Sequence, residues 1–384
     1  MEGGHEGSSA KMTKTDLDSQ KFHVLILGAS YGSLLATKLL LAGHDVTLVC
    51  RESTAEIFNK EGSIVRIPIR GRDEPVNVRS LDLPGKLCAS SPDKVLAPKD
   101  DEAKSDKETF DLVVLAMQEP QYSSPGVREL VERIASSRLP TMAITNMPLL
   151  PYLRRIPGLK DGVSSSHEIR SCFADPSLWD AFDNPELVTQ CSPDPQAFRP
   201  PDEDPNVLVV RLPTNFKAAR FGSERHTAIL RRLEGDIQAA RYDGHEIPVK
   251  LRLHDSVFVP LAKWAMLLAG NYRCVAQYPE DMVPIRDAVR KDPEASRSVY
   301  EWVVSLCTSL GGDEGDFVPF EKYAKAAESL ANPSSAARAL KGGARSIERV
   351  DKLVRAIALQ KGMETEVVDG IVVRVDEWIL HNSE

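Results

Sequence analysis

The chain has 384 residues, 42% of them hydrophobic, which suits one large core or two moderate ones, and two domains is the expectation. Its net charge of −8, with no basic patch interleaved with aromatics, argues against a nucleic-acid partner. The apolar runs 34–42 and 257–270 are interrupted by Lys38 and by Pro260 and Lys263 and are too short to span a bilayer.

Residues 1–20 are rich in Gly, Ser, Lys and Glu with no apolar centre, so they read as a disordered tail rather than a signal peptide. Residues 22–51, FHVLILGASYGSLLATKLLLAGHDVTLVCR, then follow a strand–turn–helix–strand pattern: an apolar run ending at Gly28, a small-residue turn, a helix over 33–42 stopped by Gly43, and a second apolar run. A glycine-bearing turn between a strand and a helix exposes backbone N–H groups to a phosphate at the positive end of the helix dipole. The stretch therefore reads as a dinucleotide site built from Gly28, Ser30, Tyr31, Gly32 and Ser33, although the turn departs from G-x-G-x-x-G. Arg51 at the end of the second run suits the 2′-phosphate of NADP; Glu52 beside it speaks mildly for a free ribose. The same letters spell G-x-S-x-G around Ser30, the elbow of a serine hydrolase. Against that reading, only a polar tail precedes the turn, and His167, His226, His245, His254 and His381 sit in no recognisable catalytic context.

Residues 63–68 and 76–79 read as paired strands, and 90–109 as an exposed, charged loop. The apolar run at 111–117, DLVVLAM, is of the kind a parallel strand buried on both faces shows. A helix at 127–137 and a strand at 141–145, ending at Asn146, complete an α/β alternation that predicts a Rossmann-type, doubly wound parallel sheet. Ligands bind such sheets at the carboxyl ends of the strands, so the turn at 28–33, Arg51, Met117, Gln118 and Asn146 are expected along one edge as the cofactor site.

Residues 164–213 carry eight prolines among acids and read as a surface excursion, with a lid bearing Trp179, Phe182 or Phe198 as the sharper alternative; strand character resumes at 207–212. After an amphipathic helix at 227–241 and a short strand at 249–253, the pattern is helical: 257–276, 285–310, 321–331, 335–341 and 345–361. The expected organisation is an NADP-binding domain over 21–254, with the Pro-rich insertion inside it, followed by an all-helical substrate and dimerisation domain over 255–384. The six cysteines are scattered with no metal-binding spacing, as expected of reduced thiols in a cytoplasmic protein without a metal site.

Lys263 stands out because it lies in LAKWAMLLAG with no carboxylate within four residues on either side. An ammonium in such surroundings either snorkels to water or has its pKa lowered, which suits a general acid near neutral pH. Asn271, two turns on, lies loosely on the same side. In Asn332-Pro333-Ser334-Ser335 one helix stops and the next begins, which is either an N-cap or a carboxylate-binding helix start. Glu348, with Lys352 four residues on, reads by itself as a surface ion pair in the first turns of a helix.

Together these residues resemble the ketopantoate reductase family from about residue 22 to residue 379. GASYGSLLATKLLLAGHDVTLVCR is similar to that family's GAGAIGSLLA…GHDVTLVAR, one loop residue shorter; DLVVLAMQ resembles its DLVLLAVK, AKWAMLLAGN its EKLVVNAAIN, and PSSAARALKGGARSIERVD its SSMLQDLEAGRPTEID. The resemblance implies an NADPH-dependent enzyme with a Rossmann domain, a helical domain of the 6-phosphogluconate dehydrogenase C-terminal type, and room for a homodimer. Position by position it implies Lys263 as general acid, Glu348 as the glutamate that holds the substrate hydroxyl and positions the lysine, Asn271 and Ser335 as substrate-binding residues, and Asn146 beside the nicotinamide. Three positions depart: Gln118 stands for a lysine, Leu267 for an asparagine and Met147 for a glycine. They imply a small carbonyl or imine substrate other than ketopantoate, or alternatively an NADP(H)-binding sensor that has lost catalysis.

Overall fold

The computed structural model describes residues 20–69, 71–97 and 109–384. The expected disordered tail, save Gln20, lies outside the described residues, as does most of the expected loop at 90–109. Among the described residues twelve strands fall in two sheets. The main sheet has eight: β1 (His23–Leu27), β2 (Asp45–Val49), β5 (Leu87–Ser90), β6 (Leu112–Leu115), β7 (Thr141–Ile144), β8 (Val188–Ser192), β11 (Phe216–Ala219) and β12 (Leu251–His254). Their order is β12-β11-β8-β7-β6-β1-β2-β5, parallel at every pairing except β8 with β11.

The central strands are buried on both faces, which is why they read as unbroken apolar runs. Alternate residues serve two cores. Leu25, Leu27, Val113 and Leu115 face a core continuous with the C-terminal helices, whereas Val24, Ile26, Leu112 and Val114 face one that includes the helix Gly32–Leu41. Every residue of that helix is buried, and Gly32 permits the contact, since a Cβ there would lie 2.7 Å from Ile26 Cγ2.

The expected hairpin exists as β3 (Ile64–Ile67) against β4 (Val76–Arg79). It belongs to a second sheet, β4-β3-β10-β9, which takes in β10 (Val207–Leu212) and β9 (Gln196–Phe198). The Pro-rich stretch at 164–213 is therefore not a surface excursion. It supplies β8, buried throughout and parallel to β7, and it buries Trp179 and Phe182 in the core, so these two rings form no lid. Proline punctuation hid a short strand that is apolar enough only in the context of the sheet.

The helical half also departs from its expected bounds. Residues 257–276 form a 3₁₀ turn (Val259–Ala262), an α turn (Lys263–Met266) and a π turn (Leu267–Asn271). The run at 285–310 divides into Ile285–Arg290 and Pro293–Ser309, where Asp292 caps the second helix. The helix Ser335–Lys341 has its expected bounds, but the next begins at Val350, so Glu348 precedes it outside any helix. A last helix, Glu366–Ser383, closes the chain. Among the described residues no helix is long and apolar enough to cross a membrane, and no group of His, Cys, Asp and Glu is arranged to hold a metal ion.

Candidate functional site

Strands β1, β2, β6 and β7 end level with one another, because Leu27 pairs with both Val49 and Leu115, and Leu115 with Ala143. Neighbouring strands lie about 4.8 Å apart, so the segments that leave them emerge side by side. This brings the turn at Gly28, Arg51, Met117, Gln118 and Asn146 to one edge. β8 runs parallel to β7 and delivers Ser192 and the residues after it to the same edge.

The turn is built around Gly28, whose φ of +104° favours glycine; a Cβ there would also meet Ala116 O at 2.7 Å and Met117 Cγ at 2.6 Å. Gly32 N–H donates to Gly28 O at 3.1 Å, and the buried Ser33 hydroxyl donates to Ala29 O. The N–H groups of Ala29, Ser30 and Tyr31 have no partner among the described residues, and the helix carries no acid in its first turn. These donors fit a phosphate. Ser30 is exposed and meets no histidine among the described residues, so the hydrolase constellation is not assembled there.

At the end of β2, Arg51 is exposed ahead of the helix Glu52–Glu61. Glu52 is engaged by Lys94 at 2.5 Å. Arg199, just past β9, comes close enough to Arg51 for its charge to be felt; burial first, and then Arg51, push its guanidinium below the usual range. Its Nη2 is buried with no hydrogen-bond partner among the described residues. The pair forms a cationic corner that suits an anion.

On the other side of the edge Glu348 is only 6% exposed. Its Oε2 accepts from Asn146 Nδ2 at 3.2 Å and its Oε1 from Glu119 N–H at 3.3 Å. Burial pushes its carboxyl up to about 7, against the hydrogen bonds from Asn146 and Glu119 that favour the ion. This corrects the surface i,i+4 pair expected from local spacing. Tyr272 holds the segment, its hydroxyl donating to Glu348 O and accepting from Val350 N–H at 3.2 Å. Glu119 is itself buried, accepting from Trp179 Nε1 and Ala174 N–H, both at 3.1 Å, and burial raises its pKa.

Lys263 lies near enough to Glu348 for the carboxylate's charge to act on its ammonium. The side chain is 19% exposed; Nζ donates to Pro193 O at 2.5 Å and lies 3.6 Å from Asp194 Oδ1. Burial lowers its pKa, while Asp194 and then Glu348 oppose that shift. Asp194 is held below the usual carboxylate range despite its own burial, because Lys263 and Lys217 both pair with it, Lys217 at 3.1 Å. One residue further on, Pro195 O accepts from the Tyr31 hydroxyl at 2.7 Å. The segment Pro193–Pro195 thus bridges the glycine turn and the lysine.

Eight residues of α-helix would leave Asn271 about 80° around from Lys263. The π turn, with its i→i−5 bond from Tyr272 N–H to Leu267 O at 2.8 Å, rotates less per residue and reduces that offset. Asn271 O accepts from Ser334 Oγ at 2.7 Å. Ser334 is the buried cap of the next helix, accepting from Ala337 N–H at 3.1 Å, whereas Ser335, the expected carboxylate binder, is exposed at its first position. The departures also find their places: Gln118 is exposed on the rim, and Leu267 and Met147 are buried in the core.

Residues 24–146 match the family model described as "Ketopantoate reductase PanE/ApbA". Over these residues the chain is similar to that family. Among curated proteins no sequence matches it. Solved structures share the chain's fold over nearly its whole length. A putative ketopantoate reductase from Ralstonia solanacearum MolK2 is 15% identical at a TM-score of 0.61, covering 95% of this chain and 99% of its own. D-mandelate dehydrogenase with NADH and anilino(oxo)acetate is 13% identical at 0.60, covering 94% and 100%. A dimeric ketopantoate reductase from Staphylococcus aureus is 12% identical at 0.55, covering 94% and 99%. At these identities the likeness is one of fold. Asp194, Glu119 and Arg199 were not singled out by sequence reasoning; the only local signals are an acid between two prolines in Pro193-Asp194-Pro195 and unpaired charges beside prolines at the other two sites.

Proposed function

We propose that the protein is a cytoplasmic, NADPH-dependent reductase of a C=O or C=N bond in a small substrate other than ketopantoate, acting as a homodimer. What supports this reading most is that Glu348, bonded to Asn146 at the carboxyl edge of the Rossmann sheet beside a turn with unpaired amides, lies near enough to the sequence-distant Lys263 for its charge to act on the ammonium. The amides of Ala29, Ser30 and Tyr31 would hold the pyrophosphate, and Arg51 with Arg199 the 2′-phosphate. Met117, Gln118 and Asn146 would flank the nicotinamide, which supplies a hydride when bound. Lys263 gives a proton to the substrate heteroatom; its lowered pKa makes that transfer easier near neutrality. Glu348 keeps the lysine charged and oriented, and Asn271 offers a hydrogen bond to the substrate. Ser335 would take part only from the cleft's outer margin.

A second reading, an NADP(H)-binding sensor without turnover, is favoured by one contact: Lys263 is already engaged by Pro193 O and Asp194. NADPH fluorescence titration and NADPH oxidation across carbonyl and imine substrates decide between them. Oxidation that disappears in Lys263→Ala supports the reductase; saturable binding with no oxidation supports the sensor; no binding defeats both.

A further inference from the structure

The contacts of Asp194 bear on which substrates the cleft admits. The crossing from β8 to β9 places the Asp194 carboxylate 3.6 Å from Lys263 Nζ and 3.1 Å from Lys217 Nζ, and Ser192 Oγ donates to it as well. Pro193 O takes a further hydrogen of Lys263 at 2.5 Å. The two ammonium groups beside the reacting position are thus already paired with an internal anion, and the charges that act on Lys263 are two carboxylates, Asp194 and Glu348, and one lysine.

A 2-oxo acid bound with its carbonyl oxygen on Lys263 would put its carboxylate within a few ångströms of Nζ, next to Asp194, with both ammonium groups already shared. Like charges so close in a partly dry cleft disfavour that pose. Ser335, the residue expected to receive such a carboxylate, is exposed, and the Ser334 hydroxyl is spent on Asn271 O and Ala337 N–H.

Building on the reductase reading, we infer that Asp194 is a specificity residue that occupies the place of a substrate carboxylate, so that the protein reduces uncharged ketones or aldehydes in preference to 2-oxo acids. In the step itself Lys263 Nζ would give its proton to the carbonyl oxygen as the C=O π bond opens, a bound reduced nicotinamide would supply the hydride to the carbon and be left oxidised, and the lysine would regain a proton from solvent.

The test uses the full chain saturated with NADPH and a matched pair of unreactive ligands, neutral oxamide and anionic oxamate, titrated by the change in NADPH fluorescence. The wild-type protein is expected to bind oxamide at least tenfold more tightly than oxamate. Asp194→Asn should move that ratio at least tenfold toward oxamate. Lys217→Met, at a half-exposed side chain whose loss leaves Asp194 less neutralised, should move it severalfold the other way. Should Asp194→Asn not fold, the wild-type ratio and Lys217→Met still decide. Equal or tighter oxamate binding by wild type, a ratio unmoved by the folded variants, or no binding of either ligand overturns the inference while leaving the reductase reading standing. Failure to bind NADPH is read separately, in the preceding titration, and removes both.

Discussion

Asn146, at the end of β7, and Glu348, ahead of the helix Val350–Gln360, are joined by a hydrogen bond of 3.2 Å across 202 residues of chain. The contact fastens the helical half to the carboxyl edge of the sheet, and it does so with a carboxyl group that burial raises to about 7. Tyr272, one residue past the π turn, holds the same segment by its backbone, so the lysine-bearing helix and the glutamate are set in place together.

A buried carboxyl of this kind writes itself into the pH dependence of stability. Its folded pKa lies above the ordinary value of 4.5, so its contribution is fully present below that value and has been lost once the pH passes about 7. The loss amounts to roughly 3 kcal/mol at most. Glu348→Gln should therefore gain on wild type as the pH rises from 4.5 to 7 and hold a constant difference above it, as read by urea unfolding at a series of pH values. A difference that does not change with pH would show that the carboxyl titrates normally.

Lys263→Met removes the proposed proton donor but no group proposed to hold the nucleotide. NADPH affinity should stay within about twofold, while turnover of any accepted substrate falls by roughly 10²–10⁴, the range usual for loss of a general acid. Turnover within tenfold of wild type would exclude the lysine from the chemistry.

The Arg51–Arg199 corner makes a claim about the two nicotinamide nucleotides. Removing either guanidinium should weaken NADPH by about 10- to 100-fold, as expected for one charge-assisted hydrogen bond or pair, and leave NADH within twofold. Titrating Arg51→Ala and Arg199→Ala with both nucleotides measures it; equal losses for the two would place the 2′-phosphate elsewhere.

Two glycines with left-handed backbone separate strain from crowding. Gly43 (φ +90°) has open space where a Cβ would go, whereas at Gly28 (φ +104°) a Cβ meets Ala116 O at 2.7 Å and Met117 Cγ at 2.6 Å. Both alanine variants carry the conformational cost of about 1–2 kcal/mol. Gly28→Ala should cost a further ~1–3 kcal/mol for overpacking. Denaturant midpoints compared at equal m-value report the difference.

Lys38, buried in the helix Gly32–Leu41, donates to Ile247 O at 3.1 Å and Pro248 O at 3.0 Å, and burial lowers its pKa to about 7. A lysine depressed from 10.5 withdraws stability as the pH falls from 10.5 toward 7 and withdraws no more below it. Lys38→Met loses two hydrogen bonds at every pH, so relative to wild type it should be more stable at pH 6 than at pH 9; thermal melts at the two values are the measurement.

The sequence by itself determined the strand–turn–helix–strand at 23–49, the buried strand Leu112–Leu115 and the amphipathic helix Val127–Ser137. In each, burial on two faces or one leaves a repeating mark along the chain. It also singled out Lys263, because a missing local counter-charge is visible as an absence of nearby carboxylates. Only the tertiary structure decided that Glu348 is buried against Asn146 rather than paired on a surface, that the Pro-rich stretch threads β8 into the main sheet, and that Asp194 and Arg199 reach the edge where β1 and β2 end. A carboxylate or guanidinium on a non-repeating segment carries no period that names its partner. Its role is set by what the fold brings against it from far along the chain, and the same letters on a solvated loop would do nothing.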